Sequence, residues 1–305
     1  MNYLQKITST GRYDLHTHST YSDGTYTPLE IIETARQNGL HFLSITDHDT
    51  CDAYITLTKN ESTNQDYTLV NEKVLSDYFV DKTSDIAVQS HDRGDRPLII
   101  VPGVEISTLY QNKKVDLLAY FIAESIFNLQ EFLHEQQRLR HERNQLLITK
   151  LQKLGYPLPE NFFAELPSSA GRVHAARFLV EKGYFSTISE AFDRLLLFGR
   201  PGFVRRQACS TEVAIRTVRA AGGIPVIAHP QLYGWCEQPD LLRKLLIEFK
   251  AHGLLGVEAY HSQAKLEQRK LIVNLARELN LETTGGSDFH GANKQGHDLY
   301  KANSF

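Results

Sequence analysis

Cysteine is scarce in this chain: Cys51, Cys209 and Cys236 are odd in number, far apart and form no C-x-x-C pair. That excludes a disulfide framework and a cysteine zinc site, leaving buried or incidental thiols. An excess of one charge is also lacking, since Lys+Arg 33 against Asp+Glu 36 gives a net charge of -3. A protein that coats nucleic acid by bulk charge is therefore excluded, while a local basic pocket is not. Apolar runs such as 98–101 and 195–198 fall far short of a membrane span, and the first dozen residues lack a signal-peptide core, so a cytoplasmic location is expected. No feature points to a stable protein partner. What is present is an ordinary globular composition, 41% hydrophobic and 23% charged over 305 residues, enough for one large domain or a main domain with a smaller companion.

The pattern alternates between strands and helices. Tyr13 to His18 reads as a strand, and Thr27-Pro28-Leu29-Glu30 opens a helix with a capping box and Pro at the first helical position. Further strands are expected at 42–46, 98–101, 103–105, 115–121, 224–228, 256–260 and 282–284, with helices at 211–221, 239–251 and 264–279. Such alternation predicts a parallel α/β sheet, closed into a barrel or, as the runner-up, open. Two regions break it. Residues 58–96 are rich in Asn, Ser, Thr, Asp and Lys and read as a variable insertion, partly disordered or weakly helical. Residues 129–205 read as a small helical subdomain, inserted between barrel segments 1–128 and 206–305.

Thirteen histidines carry the chemistry, because several stand beside Asp or Glu just after a strand. Residues two apart on a strand share a face, so His16 and His18 can present both rings to one ion. Asp23 follows in the next loop, His48 ends the second strand, Glu105 lies on the third, His229 ends another, and Asp288 with His290 forms a D-x-H at the last. This donor set exceeds what one tetrahedral zinc needs and suits two or three bridged divalent ions. Mixed nitrogen and oxygen ligation without thiolate fits Mn, Fe or Zn. Active sites of α/β barrels gather at the C-terminal strand ends, where these residues fall.

The ordered segments Tyr13-Asp14-Leu15-His16-Thr17-His18-Ser19, Ser22-Asp23-Gly24, Ile45-Thr46-Asp47-His48-Asp49-Thr50, Pro102-Gly103-Val104-Glu105-Ile106-Ser107, Ala228-His229-Pro230 and Gly286-Ser287-Asp288-Phe289-His290 resemble the motifs of the PHP (polymerase and histidinol phosphatase) family. The chain is most similar to its branch of 3',5'-nucleoside bisphosphate phosphatases and 5'-to-3' oligoribonucleases, which carries a helical insertion with segments like Arg172 to Val180 and Gly202-Phe203-Val204. The resemblance implies a distorted (β/α)7 barrel with a trinuclear site. It implies that His16, His18, Asp288 and a bridging Glu105 hold a first ion, that His229 and Glu105 hold a second, and that Asp23, His48 and His290 hold a third. One position departs: where the branch has a histidine, this sequence has Asp116, an adapted ligand of the second ion or the mark of a weakened site.

A hydroxide bridging two such ions is a competent nucleophile, so phosphate-ester hydrolysis is the expected reaction, and the resemblance implies nucleoside 3',5'-bisphosphates or short 5'-phosphorylated RNA as substrates. Manganese is the expected metal. Asp47, adjacent to His48 and facing the other way, reads as a support for the site rather than a ligand. His261 is a candidate acid for the leaving group. Arg172, His174 and Arg177, with Arg140 and Arg143 on the preceding helix, are candidates for a second phosphate pocket, because guanidinium forks match phosphate oxygens. Tyr233 and Trp235 are candidates for stacking on a base, with core or loop packing the equal alternative. The alternatives are a phosphatase of another small metabolite of the histidinol phosphate kind, and a catalytically weak regulatory module.

Overall fold

The computed structural model describes residues 3–61, 66–80, 97–294, 296–301 and 304. The first half contains α1 (Tyr3–Thr8), β1 (Tyr13–Thr17), α2 (Pro28–Gln37), β2 (Phe42–Ile45), α3 (Asp52–Glu61), β3 (Tyr67–Leu69), α4 (Glu72–Val80), β4 (Leu98–Ile100), β5 (Gly103–Tyr110) and β6 (Lys113–Tyr120). The helices α5 (Gln130–Lys153), α6 (Arg172–Glu181) and α7 (Ile188–Ala191) follow. The chain then runs through α8 (Thr211–Ala220), β7 (Ile224–Ile227), α9 (Pro239–Ala251), β8 (Gly256–His261), α10 (Leu266–Glu278) and β9 (Glu282–Gly286).

Local sequence accounts for much of this. At the start of α2, Thr27 Oγ1 accepts the Glu30 N–H while the Glu30 carboxylate accepts that of Thr27, a reciprocal cap contributing about 1 kcal/mol. The helix buries Pro28, Ile31, Ile32 and Ala35, the spacing of one helical face. Strands β1, β2, β4 and β7 are buried at every position, as expected of strands covered on both sides.

The strands form two sheets, ordered β1-β2-β4-β3 and β5-β6-β7-β8-β9. The first is parallel throughout. In the second, β6 runs antiparallel to both β5 and β7, which corrects the expectation of uniformly parallel pairing. Gln111 and Asn112, with φ of 47° and 63°, make the tight turn that folds β5 back on β6. Among the described residues, continuous ladders do not close the expected barrel. The sheets instead meet at single bridges, Thr17 with Phe289 and His48 with Glu105. At both seams a residue in the left-handed region, Asp288 at 56° or Asp49 at 52°, turns the chain out of extended geometry and stops the ladder.

The segment 58–96 contributes more than expected. Strand β3 pairs with β4 from Tyr67↔Leu98 to Leu69↔Ile100, and Val70, Leu75 and Tyr78 are buried in a cluster shared with Leu4 and Ile7 of α1. Residues 62–65 and 81–96 of that expectation lie outside the described residues. In the helical block, Leu147, Leu151, Ala175, Leu179, Leu195 and Leu196 belong to a hydrophobic cluster of their own. Within this block α7 gives way to a π-helical turn at Phe192–Leu196.

Candidate metal centre and its adjoining cavity

Glu105 stands at the middle of the strand-end histidines. Its Oε2 lies 3.5 Å from His16 Nε2, 3.2 Å from His18 Nε2 and 3.0 Å from His48 Nδ1, while Oε1 lies 3.0 Å from His229 Nε2. Asp288 Oδ1 is 3.7 Å from His16 Nε2 and 3.5 Å from His18 Nε2. A second group forms around Asp23, with His290 Nε2 at 3.3 Å, His18 Nδ1 at 3.8 Å and His48 Nε2 at 3.9 Å. Asp116 Oδ2 is 3.8 Å from His229 Nε2, so Glu105, Asp116 and His229 form a third group able to hold an ion. Eight of the nine expected ligands thus fall into three adjoining groups, and Asp288, beside His16 and His18, also forms a group with His261 and His297, which the sequence did not single out as ligands.

The donors fit divalent ions. His16 Nε2, His18 Nε2, His48 Nδ1, Asp23 Oδ1 and Asp116 Oδ1 are buried and make no hydrogen bond, an expensive arrangement for polar atoms without a further partner. Burial would raise the Glu105 carboxyl, but His48 and His16 beside it hold it well below the usual carboxylate range. Burial and the neighbouring His290 push His18 down to about 3, leaving the neutral ring that ligates metal.

Strand geometry alone does not aim these groups. His229 has φ 28°, and Asp49 and Asp288 are also left-handed, a strained conformation typical of functional turns. Hydrogen bonds hold them there. Glu258 accepts the His229 N–H at 2.8 Å, Asp14 accepts the Ser287 N–H at 2.9 Å, and Asp288 donates its own N–H to His16 O at 2.8 Å. Asp47 accepts from Ser19 N at 2.7 Å, Ser19 Oγ at 2.6 Å and Ser22 Oγ at 2.5 Å. It thereby fixes the loop that carries Asp23.

A cavity of about 760 Å³ opens beside this centre and reaches under the helical block, with Asp23, His48 and His290 at one end and Arg140, Arg143, Arg172 and Arg206 along its wall. Asp49 Oδ2 pairs with Arg140 and, at 2.7 Å, with Arg206. Arg143 is buried with Nε and Nη1 unpaired. Burial and the charges of Arg140, Arg172 and Arg206 pull its pKa well below the ordinary arginine value. Guanidinium does not deprotonate in proteins, so the cluster keeps its charge and favours an anion.

Residues 14–147 match the PHP domain family. Over 280 residues the chain is 31% identical to the 5'-3' exoribonuclease Rnm of Escherichia coli, covering 91% of this chain and 85% of that protein. The chain belongs to the PHP domain family. It is also 28% identical to the 3',5'-nucleoside bisphosphate phosphatase of Chromobacterium violaceum, covering 94% of this chain and 90% of that protein. A crystal structure from Bifidobacterium adolescentis superposes with a TM-score of 0.71 at 26% identity, covering 95% of this chain and 92% of that one.

The remaining expected residues of this PHP protein divide. His174 lines the cavity with Arg140, Arg143 and Arg172, and burial lowers its pKa. Arg177 is not among the lining residues. His261 is fully buried, with Nδ1 accepting from Gln263 N at 3.1 Å and Nε2 3.2 Å from Asp288 Oδ2. It sits behind Asp288 rather than on the cavity, which does not suit the expected proton donor. Trp235 is buried in the main core, and the Tyr233 hydroxyl receives the Asp116 N–H at 2.8 Å, so the expected base-stacking pair is spent on packing and support. Among the described residues no helix is long and apolar enough to cross a membrane. Sequence reading missed Glu258, Asp49, Arg206 and Lys294. The one local signal was Lys294 following His290 closely; its ammonium pairs with Asp288 Oδ2.

Proposed function

We propose that this protein is a metal-dependent phosphoesterase, its two sheets arranged as a distorted barrel with an inserted helical subdomain, that hydrolyses nucleoside 3',5'-bisphosphates and short 5'-phosphorylated oligoribonucleotides. The observation that carries this is a single cavity that joins the Asp23, His48 and His290 group to Arg140, Arg143, Arg172 and Arg206. The names of the two relatives point the same way.

In this reading His16, His18, Glu105 and Asp288 would hold one ion, Glu105, Asp116 and His229 a second, and Asp23, His48 and His290 a third. Divalent ions there, with manganese expected, supply Lewis acidity toward phosphoryl oxygens and lower the pKa of attacking water. The chain's own part is positioning. Arg140, Arg143, Arg172 and Arg206 receive a 5'-phosphate through charge-assisted hydrogen bonds, with the neutral His174 beside them, and so direct the 3' end toward the carboxylate–histidine centre. Lys294 on Asp288 and Lys114 on Asp116, the latter at 2.7 Å, add cationic charge near the transferring group. His261 acts through Asp288 as a positioning residue.

Water adds to phosphorus and the bond from phosphorus to the 3' oxygen breaks, the 3' oxygen taking up a proton. A bisphosphate yields inorganic phosphate and a nucleoside 5'-monophosphate. An oligonucleotide yields the same monophosphate and a shortened chain with a new 5'-phosphate, itself a substrate. The test is product release by the manganese-loaded protein from adenosine 3',5'-bisphosphate, a short 5'-phosphorylated RNA and histidinol phosphate. Preferential release from the first two is expected, abolished by chelation and by His16→Ala. Arg206→Ala should raise KM for the 5'-phosphorylated compounds by about tenfold or more. No turnover of the nucleotides by protein carrying stoichiometric metal would refute the reading.

A further inference from the structure

We infer that Phe198, backed by Phe203, is a stacking seat for the substrate's nucleobase, a seat that reads the face of the base and not its edge; this rests on the nucleotide reading above. Among the described large apolar side chains Phe198 is the most exposed, at 76%, and its neighbour Leu197 is 41% exposed. Both line the cavity that holds the arginines. An apolar ring left in water at the mouth of a charged cavity marks a contact surface.

The ring is not loose. It packs edge-to-face on Phe203 with centroids 5.3 Å apart, and its turn is tied by hydrogen bonds from Arg200 N to Leu197 O at 3.0 Å and from Phe203 N to Arg200 O at 3.0 Å. Gly199, at φ 81° with open space around it, makes that turn without strain. Phe203 in turn lies under the Arg172 guanidinium, 5.6 Å from its ring centroid. The aromatic seat and the phosphate cluster are therefore parts of one continuous wall. A nucleotide has the matching layout, an anionic 5' group and a flat ring on one sugar.

The wall at this point is hydrocarbon: Leu197, Phe198, Phe203 and Val204 offer no side-chain donor or acceptor to a base edge. Stacking is sequence-tolerant because every base has a π-face. The seat therefore favours a nucleotide over a base-free sugar phosphate while discriminating little among bases.

The experiment has a kinetic and a binding arm. The metal-loaded enzyme is assayed on adenosine 3',5'-bisphosphate, uridine 3',5'-bisphosphate and base-free ribose 3,5-bisphosphate, as wild type, Phe198→Ala and Phe198→Trp. The wild type should prefer the two nucleotides over the base-free compound by about tenfold in kcat/KM, Phe198→Ala should erase most of that preference, and Phe198→Trp should keep it. In the binding arm, Phe198→Trp fluorescence should be quenched saturably by adenosine 5'-monophosphate and not by ribose 5-phosphate. Equal use of nucleotide and base-free compounds by the wild type, or a preference unchanged in Phe198→Ala, overturns the seat and leaves the phosphoesterase reading standing. If no compound is hydrolysed, quenching by the nucleotide alone supports the seat while the activity falls, and absence of quenching overturns it. Quenching equal for both ligands also overturns it.

Discussion

Glu258 and His16 meet in a fully buried contact, Oε1 to Nδ1 at 3.0 Å, although 242 positions separate them in the chain. Burial would raise the Glu258 carboxyl, but His16 beside it holds it below its ordinary value. An ionised carboxylate only accepts, so Nδ1 carries a proton toward Glu258 and Nε2 is the nitrogen left to face Glu105 and Asp288. The other Glu258 oxygen holds the strained His229 backbone, so one carboxylate orients donors of two ion groups. Glu258→Gln should lower metal affinity about 10- to 100-fold, the usual effect of losing such support. Competition with a fluorescent chelator measures it, and wild-type affinity in a folded variant would refute the orienting role.

Asp116 is the position at which this chain departs from the pattern of the branch it resembles. Its Oδ1 is buried without a hydrogen bond, its backbone N–H donates to Tyr233, and Lys114 supplies a cation at 2.7 Å. The side chain is held and aimed, as an adapted ligand requires. Asp116→Ala should reduce bound metal by one ion per chain, read by elemental analysis after gel filtration. Asp116→His should restore the count but not exceed wild-type turnover, because Lys114 loses its partner. A large gain in turnover on Asp116→His would mark the native site as decayed.

The residues of the candidate metal groups were legible because their placement is local. A period of two puts His16 and His18 on one face of β1, and His48, His229 and Asp288 mark strand ends that hydrophobic runs announce. What was illegible depends on partners far away in sequence. Asp49 joins Arg140 across 91 positions and Arg206 across 157, and no local period encodes such a pair. For Tyr233 and Trp235 stacking and packing stayed open, because an aromatic after His229-Pro230 looks alike whether it faces a cavity or a core, and the structure favours packing. The antiparallel β5–β6 hairpin did leave a trace, the polar Gln111-Asn112 pair between two apolar strands. The seams between the two sheets left none, since they rest on single bridges at left-handed residues.

Gly286 ends β9 against the backbone of β1. A Cβ there would lie 2.2 Å from His16 Cβ and 2.5 Å from His16 N, neither of which is the free end of a flexible side chain. Gly286→Ala must therefore push β9 off β1 and displace His16 together with the Ser287-Asp288 turn. A stability loss of about 1–3 kcal/mol or more and loss of tight metal binding are expected, by denaturant titration and by the chelator competition above. Gly155→Ala is the control: its added Cβ meets nothing within 4 Å, though φ of 87° leaves backbone strain. It should cost some stability and no metal affinity.

Asp49 is the hinge between the two halves of the cavity. Its Oδ2 pairs with Arg140 and Arg206, Oδ1 accepts the Ser107 N–H at 2.9 Å, and its left-handed backbone follows directly on His48. Asp49→Asn removes the charge and turns the acceptor that faces Arg140 and Arg206 into an amide donor, while asparagine tolerates the same backbone conformation and its Oδ1 can still accept from Ser107. The guanidinium groups of Arg140, Arg143, Arg172 and Arg206 would then share the pocket without that carboxylate. Removing one partner of a buried pair costs about 3–5 kcal/mol, and an anion bound among the arginines offsets part of it by mass action. Asp49→Asn should therefore melt well below wild type, and adenosine 5'-monophosphate should raise its Tm by more than it raises that of the wild type. Equal shifts in the two proteins would mean that the arginines do not form the anion pocket.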